Sequence, residues 1–262
     1  MASKNAKEAI KDSKKAWFYA HTVINGRWCQ AELTIMKDLE SANDYAKYVI
    51  KGRWPEAEPV IMKDPRWAYF YSLYVIKGRW PEAEPYVMKI PGYAYCYARS
   101  VIKGRWPEAE PRIMTHSAEL AFEYAHDVIK GRWPEAEPYI MMDPKHAGCY
   151  AKYFIKGRWP EAELVIMTDP ESAYYYARYV IRGQWSEAEP VIMMADDLAY
   201  LYAYYVIKGR WPEAEPYIMM DPKHAGCYAR DVIKGRWPEA EPYIMKDPEY
   251  GGRYKDFLCT LR

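Results

Sequence analysis

The sequence has little phenylalanine (5 among 262 residues), no bias of charge and no long apolar run. Without the ~18 consecutive apolar residues that a membrane helix needs, no transmembrane segment is expected. Lys+Arg is 37 and Asp+Glu is 36, for a net charge of +1. That balance speaks against a strongly basic nucleic-acid glove or an acidic nucleic-acid mimic. The first residues carry Lys4, Lys7, Lys11, Lys14 and Lys15 and lack the apolar core of a secretory signal. Cysteines are few and odd in number: Cys29, Cys96, Cys149, Cys227 and Cys259. Reduced thiols and a cytoplasmic location are the expectation. A phosphate-cradling glycine loop, a dinucleotide fingerprint and a Ser/His/Asp set are also missing.

Other residues are abundant: 27 Tyr, 11 Trp and 20 Pro. Their placement is periodic. Gly-Arg-Trp-Pro-Glu-Ala-Glu recurs with its tryptophans at 28, 54, 80, 106, 133, 159, 185, 211 and 237, spaced by 26 residues and once by 27. Such a period signals a repeat array. Counting from each Trp, Ala always stands at −12 and Tyr at −9. Ala stands at −8 except for Ser72, and Val-Ile occupies −5 and −4 except for Phe154. These offsets describe one face of an α-helix of about 13 residues. Asp-Pro opens several copies, as at Asp64-Pro65, Asp143-Pro144, Asp169-Pro170 and Asp221-Pro222, in keeping with a capping side chain and a proline in the first turn. Gly at −2 is expected to close the helix in a left-handed conformation.

After Trp, apolar residues at +3, +7 and +8 predict a second helix of about 9 residues. Proline at +5 would cost a regular helix a hydrogen bond. Leu33 and Leu164 hold that position in two repeats, so a kinked first turn is expected in the proline-bearing ones. Neither helix is long enough to be stable alone. The expected fold is an all-α solenoid of nine ~26-residue helix pairs. Residues 1–12 form an N-terminal lead, 13–246 nine tandem repeats in one solenoid domain, and 247–262 a C-terminal capping helix. Val128–Ala151 is identical to Val206–Ala229, three repeats away, which points to block duplication.

The arrangement resembles short tandem-repeat proteins built from Gly-Arg-Trp-Pro-Glu-Ala-Glu units in bacteriophage and bacterial genomes, most of which carry no assigned activity. The resemblance covers all nine repeats. It implies a helical array and a viral origin, and it carries over no catalytic residue. Gln184, Ser186, Cys29 and Gln30 depart from the motif.

Repeated charges read as structural. Lys or Arg at −3 and Glu at +2 and +4 sit where helix ends favour each sign, and the Arg before each Trp is expected to pair with these Glu across repeats. Nine copies of a Glu pair do not make one catalytic site, and offset i, i+2 points the two side chains apart on a helix. His146-x-x-Cys149 and His224-x-x-Cys227 offer only two ligands each, so no metal and no cofactor are expected.

Recognition in a repeat protein belongs to the positions that vary. Those are −6, −7, −10 and −11. The candidate binding residues are Tyr48, Tyr74, Tyr153, Tyr179 and Tyr205 at −6, with Arg99, Arg178 and Arg230 at −7. Tyrosine and arginine are enriched at protein interfaces. The expected function is a non-enzymatic protein–protein interaction module, with a host protein as partner if the chain is phage-encoded. Aromatic residues interleaved with basic ones also suit nucleic acid or a nucleotide, which is the alternative. Packing between neighbouring helices is the competing explanation for the same aromatics.

Overall fold

The structure, a computed structural model, describes residues 4–261. Residues 1–3 of the lead and residue 262 of the capping helix lie outside the described residues. The chain divides into two compact units, Met1–Trp133 and Pro134–Arg262. Each is a stack of repeated helix pairs without strands among the described residues, so the fold is an all-α solenoid. No helix among the described residues is long and apolar enough to cross a membrane.

One repeat shows how the sequence builds the pair. Asp64 accepts the Trp67 N–H at 3.0 Å and opens the α-helix Pro65–Tyr71. Pro65 fits the first turn because an N–H there has no partner to lose. Asp143, Asp169 and Asp221 cap their helices in the same way. The helix then widens into a π-helix, Ser72–Ile76. Every repeat has this widening, in which N–H groups reach carbonyls five residues back. A π turn advances the chain less per residue, and Val-Ile at −5 and −4 rotates off the core face. Val75 is buried, but Val23 and Ile24 are 62% and 40% exposed. The α-periodic face therefore holds only for Ala at −12, Tyr at −9 and Ala or Ser at −8.

The helix stop differs from expectation. No glycine has a positive φ; the left-handed residue is the one before it, as in Lys77 (φ 59) and Lys103 (φ 59), and likewise Asn25 and Arg182. Gly78 N–H instead donates to Ser72 C=O at 3.2 Å, the same carbonyl that accepts from Lys77. Nothing lies within 4 Å of where a Cβ would stand on Gly104, and no feature of its surroundings requires glycine there. A left-handed conformation costs a side-chain-bearing residue about 1–2 kcal/mol. Lys103→Gly is therefore expected to stabilise by about 0.5–1 kcal/mol, after the extra freedom of glycine in the unfolded chain is discounted. Gly104→Ala should be neutral or mildly stabilising. Denaturant titration of the two variants tests this, and a loss with Lys103→Gly would show that the stop is wrongly placed.

The second helix is shorter than nine residues. Where proline stands at +5 it is a piece of four or five residues, such as Glu84–Val87 or Glu110–Met114, preceded by a turn. Where leucine stands there it runs unbroken from the residue after Trp, as Cys29–Ile35 and Pro160–Ile166. Proline has no N–H to offer the carbonyl of residue +1, so only the leucine repeats complete the first turn.

The core is columnar. Ala at −12, Ala at +3 and Ile or Val at +7 are fully buried in every repeat. Small alanines let consecutive long helices approach, and Trp fills the space between layers. Six tryptophans, including Trp80, Trp106 and Trp185, are at most 1% exposed. The C-terminal helix Pro248–Cys259 continues the pattern: Tyr254 stands at the tyrosine position, and Gly251 takes the place of the −12 alanine. A Cβ on Gly251 would lie 3.3 Å from Ile244 O and Met245 Cα, so the approach there needs glycine.

Candidate functional site

The repeated polar residues form a clasp between layers. Arg79 holds Glu84 of its own repeat through two bonds, Nε to Oε1 and Nη2 to Oε2, each 2.8 Å. Tyr97 of the next repeat donates its hydroxyl proton to the same Glu84 Oε1 and accepts the Trp80 N–H at 2.6 Å. Its ring packs on Trp106 with centroids 5.0 Å apart. One tyrosine thus ties two repeats. The pattern repeats at Tyr45, Tyr71 and Tyr124, and in the second compact unit at Tyr176, Tyr202, Tyr228 and Tyr254. The expected pairing of Arg with Glu across repeats is corrected: the guanidinium closes a five-residue loop within its repeat, and tyrosine makes the crossing. At longer range the next repeat's Glu56 also attracts Arg27. Gln184 brings no guanidinium to Glu189, yet Tyr202 still bridges Glu189 and Trp185.

Burial sets the chemistry of the clasp. It pushes the hydroxyls of Tyr45 and Tyr97 up to about 12, aided by the adjacent carboxylate and opposed by the tryptophan N–H. Tyr71, Tyr124, Tyr176, Tyr202 and Tyr228 shift upward for the same reason. Arg158 and Arg236 hold Glu163 and Glu241 below the usual carboxylate range. The glutamates at +4 are structural.

The variable positions divide. At −11 the rings belong to the packing: Tyr69, Tyr95 and Tyr174 are buried. At −6 the tyrosines face outward, with Tyr48, Tyr74, Tyr153, Tyr179 and Tyr205 each about 40–50% exposed. They are organised by cations. Lys47 Nζ lies 4.8 Å from the Tyr48 ring centre and 4.2 Å from that of Tyr74. In the second compact unit the row is longer. Lys152 lies 5.3 Å from Tyr153 and 4.4 Å from Tyr179, and the Arg178 guanidinium lies 5.0 Å from Tyr179 and 3.6 Å from Tyr205. Arg178 is also fixed by a 2.6 Å bond to the buried Tyr174 hydroxyl.

Arg99 and Arg230 do not share this role. Arg99 Nη1 is 3.0 Å from Asp127, which also accepts the Tyr95 hydroxyl at 2.7 Å. Arg230 is 2.7 Å from Asp231, which accepts the Tyr200 hydroxyl at 2.8 Å. Aspartate at −6 neutralises each arginine, so these two of the proposed contacts are occupied within the fold. What marks them in the sequence is a carboxylate at −6, in the following repeat for Arg99 and in the same repeat for Arg230, where five other repeats carry tyrosine.

The histidines behave differently from a two-ligand His/Cys pair. His224 Nδ1 lies 2.7 Å from Asp196 and 3.4 Å from Asp221. These three offer donor atoms within 4.8 Å of one another, and Cys227 is not among them. Asp221 already caps the His224 N–H at 2.9 Å, so the cluster has a structural use without an ion. In the duplicated copy His146 pairs with Asp143 at 2.7 Å instead. Burial pushes the Cys96 and Cys149 thiols up, away from the reactive thiolate.

A groove of about 680 Å³ runs beside the longer tyrosine row, lined by Lys152, Tyr153, Lys156, Arg178, Tyr179 and Arg182. The sequence reading missed Lys156 and Arg182, because a cation at −3 recurs in nearly every repeat and reads as a helix-end charge. Comparison with known proteins gives no match, whether to a protein family, a curated protein or a solved structure.

Proposed function

We propose that the chain is a non-enzymatic recognition module that holds a protein partner with an acidic surface. The observation that carries this is the row Tyr153–Lys152–Tyr179–Arg178–Tyr205, in which exposed rings alternate with cations. Rings held by cations lose little freedom on binding, which is the quality that makes tyrosine and arginine interface anchors. The repeat architecture gives the repeated Arg, Glu, Tyr and Trp equivalent structural roles, which supports a scaffold for recognition. The sequence resemblance makes a bacterial host protein the natural partner, and inhibition of a host factor the natural outcome.

The test is affinity purification from a bacterial lysate with the parent chain and a Tyr179→Ala/Tyr205→Ala variant. One stoichiometric protein, retained after nuclease treatment and lost with the variant, is the expected result. Both positions are substantially exposed, so each substitution should cost only about 0.5–1 kcal/mol of stability, the worth of an exposed cation–ring contact. Cargo that is released by nuclease or by modest salt would replace this reading with nucleic-acid binding.

A further inference from the structure

The groove beside the tyrosine row has a composition that a protein interface does not require. Four cations line it, Lys152, Lys156, Arg178 and Arg182, and no carboxylate does. Many of the chain's other arginines are neutralised: Arg27, Arg53, Arg79, Arg105, Arg158, Arg210 and Arg236 each hold a glutamate, and Arg99 and Arg230 each hold an aspartate. Among the described residues none of the four groove cations is ion-paired. In a chain of net charge +1 this is a local excess of positive charge with no carboxylate against it.

Two of the four are already positioned. Arg178 is held by the Tyr174 hydroxyl at 2.6 Å and by the Tyr205 ring at 3.6 Å. Lys152 rests on the Tyr179 ring at 4.4 Å. Lys156 and Arg182 are the left-handed residues that close their helices, with φ of 59° and 61°. That backbone conformation recurs in every repeat, so their Cα positions are fixed by the architecture. The two helix C-termini oppose an anion, each with about half a negative charge. Against four full positive charges, about +3 remains. The volume lies within the range of about 300–1,000 Å³ typical of small-ligand sites. Tyr179 is already engaged by Lys152 and by Tyr175, stacked at 5.9 Å with ring planes 16° apart, so the groove offers charge before it offers a stacking face.

We propose that this groove binds the phosphate chain of a small polyphosphate ligand. The shared chemistry is two or more adjacent phosphates, as in inorganic triphosphate or a nucleoside triphosphate. The tetrahedral oxygens accept hydrogen bonds from guanidinium and ammonium donors, and the concentrated charge rewards four cations more than a single carboxylate would. The inference does not rest on a protein partner, because Lys156 and Arg182 lie outside the tyrosine–cation row and Tyr205 lies outside the groove lining.

Calorimetric titration of the full chain at near-physiological salt, about 0.15 M, tests it with three probes: inorganic triphosphate, ATP and hexaglutamate. Triphosphate and ATP are expected to bind once per chain within about threefold of each other, and hexaglutamate at least about tenfold more weakly. A Lys156→Gly/Arg182→Gly variant should weaken both phosphate ligands by about tenfold or more. Glycine suits the left-handed positions, so its melting temperature should not fall. Lys77→Gly, the same repeat position in the Met1–Trp133 unit, should leave binding unchanged. Failure of triphosphate to bind, equal binding of hexaglutamate, binding of ATP alone, or an unaltered double-glycine variant would each overturn the proposal. Protein capture scored on that same variant and on Tyr205→Ala separates a failed phosphate site from a failed partner surface.

Discussion

Trp80→Ala is expected to destabilise the Met1–Trp133 unit by about 3–5 kcal/mol, the cost of truncating a buried aromatic. Trp80 is 1% exposed and packs with Tyr71 at a centroid distance of 5.1 Å. Its removal leaves a cavity between two layers of short helices, which cannot collapse without moving the alanine columns on either side. The backbone N–H of residue 80 would still reach Tyr97, so the loss reports packing rather than the clasp. Guanidinium denaturation followed by circular dichroism measures it. A change below ~1 kcal/mol would mean that tryptophan is not what spaces the layers. Because each repeat touches mainly its neighbours, the transition of the variant should also broaden, with the mutated region opening first.

Alkali should unfold the protein sharply, beginning near the ordinary tyrosine range. In the unfolded chain a tyrosine hydroxyl gives up its proton at about pH 10. Folded Tyr45 and Tyr97 hold theirs to about 12. Between these values the unfolded chain binds fewer protons than the folded one, so stability is complete below about pH 10 and falls as pH rises. The clasp repeats along the chain and the effects sum, which makes the loss steep. Tm measured from pH 8 to 12, with tyrosinate absorbance followed in parallel, should show ionisation and unfolding together. Tyr97→Phe should lower Tm at neutral pH, because the Trp80 N–H and Glu84 lose a buried partner at a cost of about 1–3 kcal/mol, and should flatten the alkaline dependence. Tyrosines that ionise at about pH 10 in a chain that stays folded would remove the clasp as the link between repeats. Acid acts on the other partner more weakly: the lowered Glu163 and Glu241 contribute stability above the ordinary glutamate range, and it is lost as pH falls through their folded values.

The sequence determined the architecture because repetition makes every local rule visible nine times. Alanine at −12, tyrosine at −9 and isoleucine or valine at +7 could be read as buried from period alone, and they are, except for the half-buried Tyr19 of the first repeat. Asp-Pro could be read as a helix start from capping chemistry, and the split between proline and leucine at +5 predicted which short helices begin late. The π turn was not legible, because i→i+5 bonding leaves no periodic signature in only five residues, and it is what moved Val-Ile off the core and shifted the left-handed residue from glycine to lysine.

The site depended on contacts between repeats. Arg99, Arg178 and Arg230 share one repeat position, but Asp127 and Asp231 neutralise two of them and Tyr174 with Tyr205 positions the third. The identical blocks Val128–Ala151 and Val206–Ala229 make the same point. His224 turns to Asp196, whereas the residue at the corresponding distance before His146 is Ala118. A side chain's partner in a stack is set by the neighbouring layer, about 26 residues away in sequence and adjacent in space. Pattern within one repeat specifies the fold and pairs most arginines with their own glutamates; how Arg99, Arg178 and His224 are engaged is decided only when the layers meet.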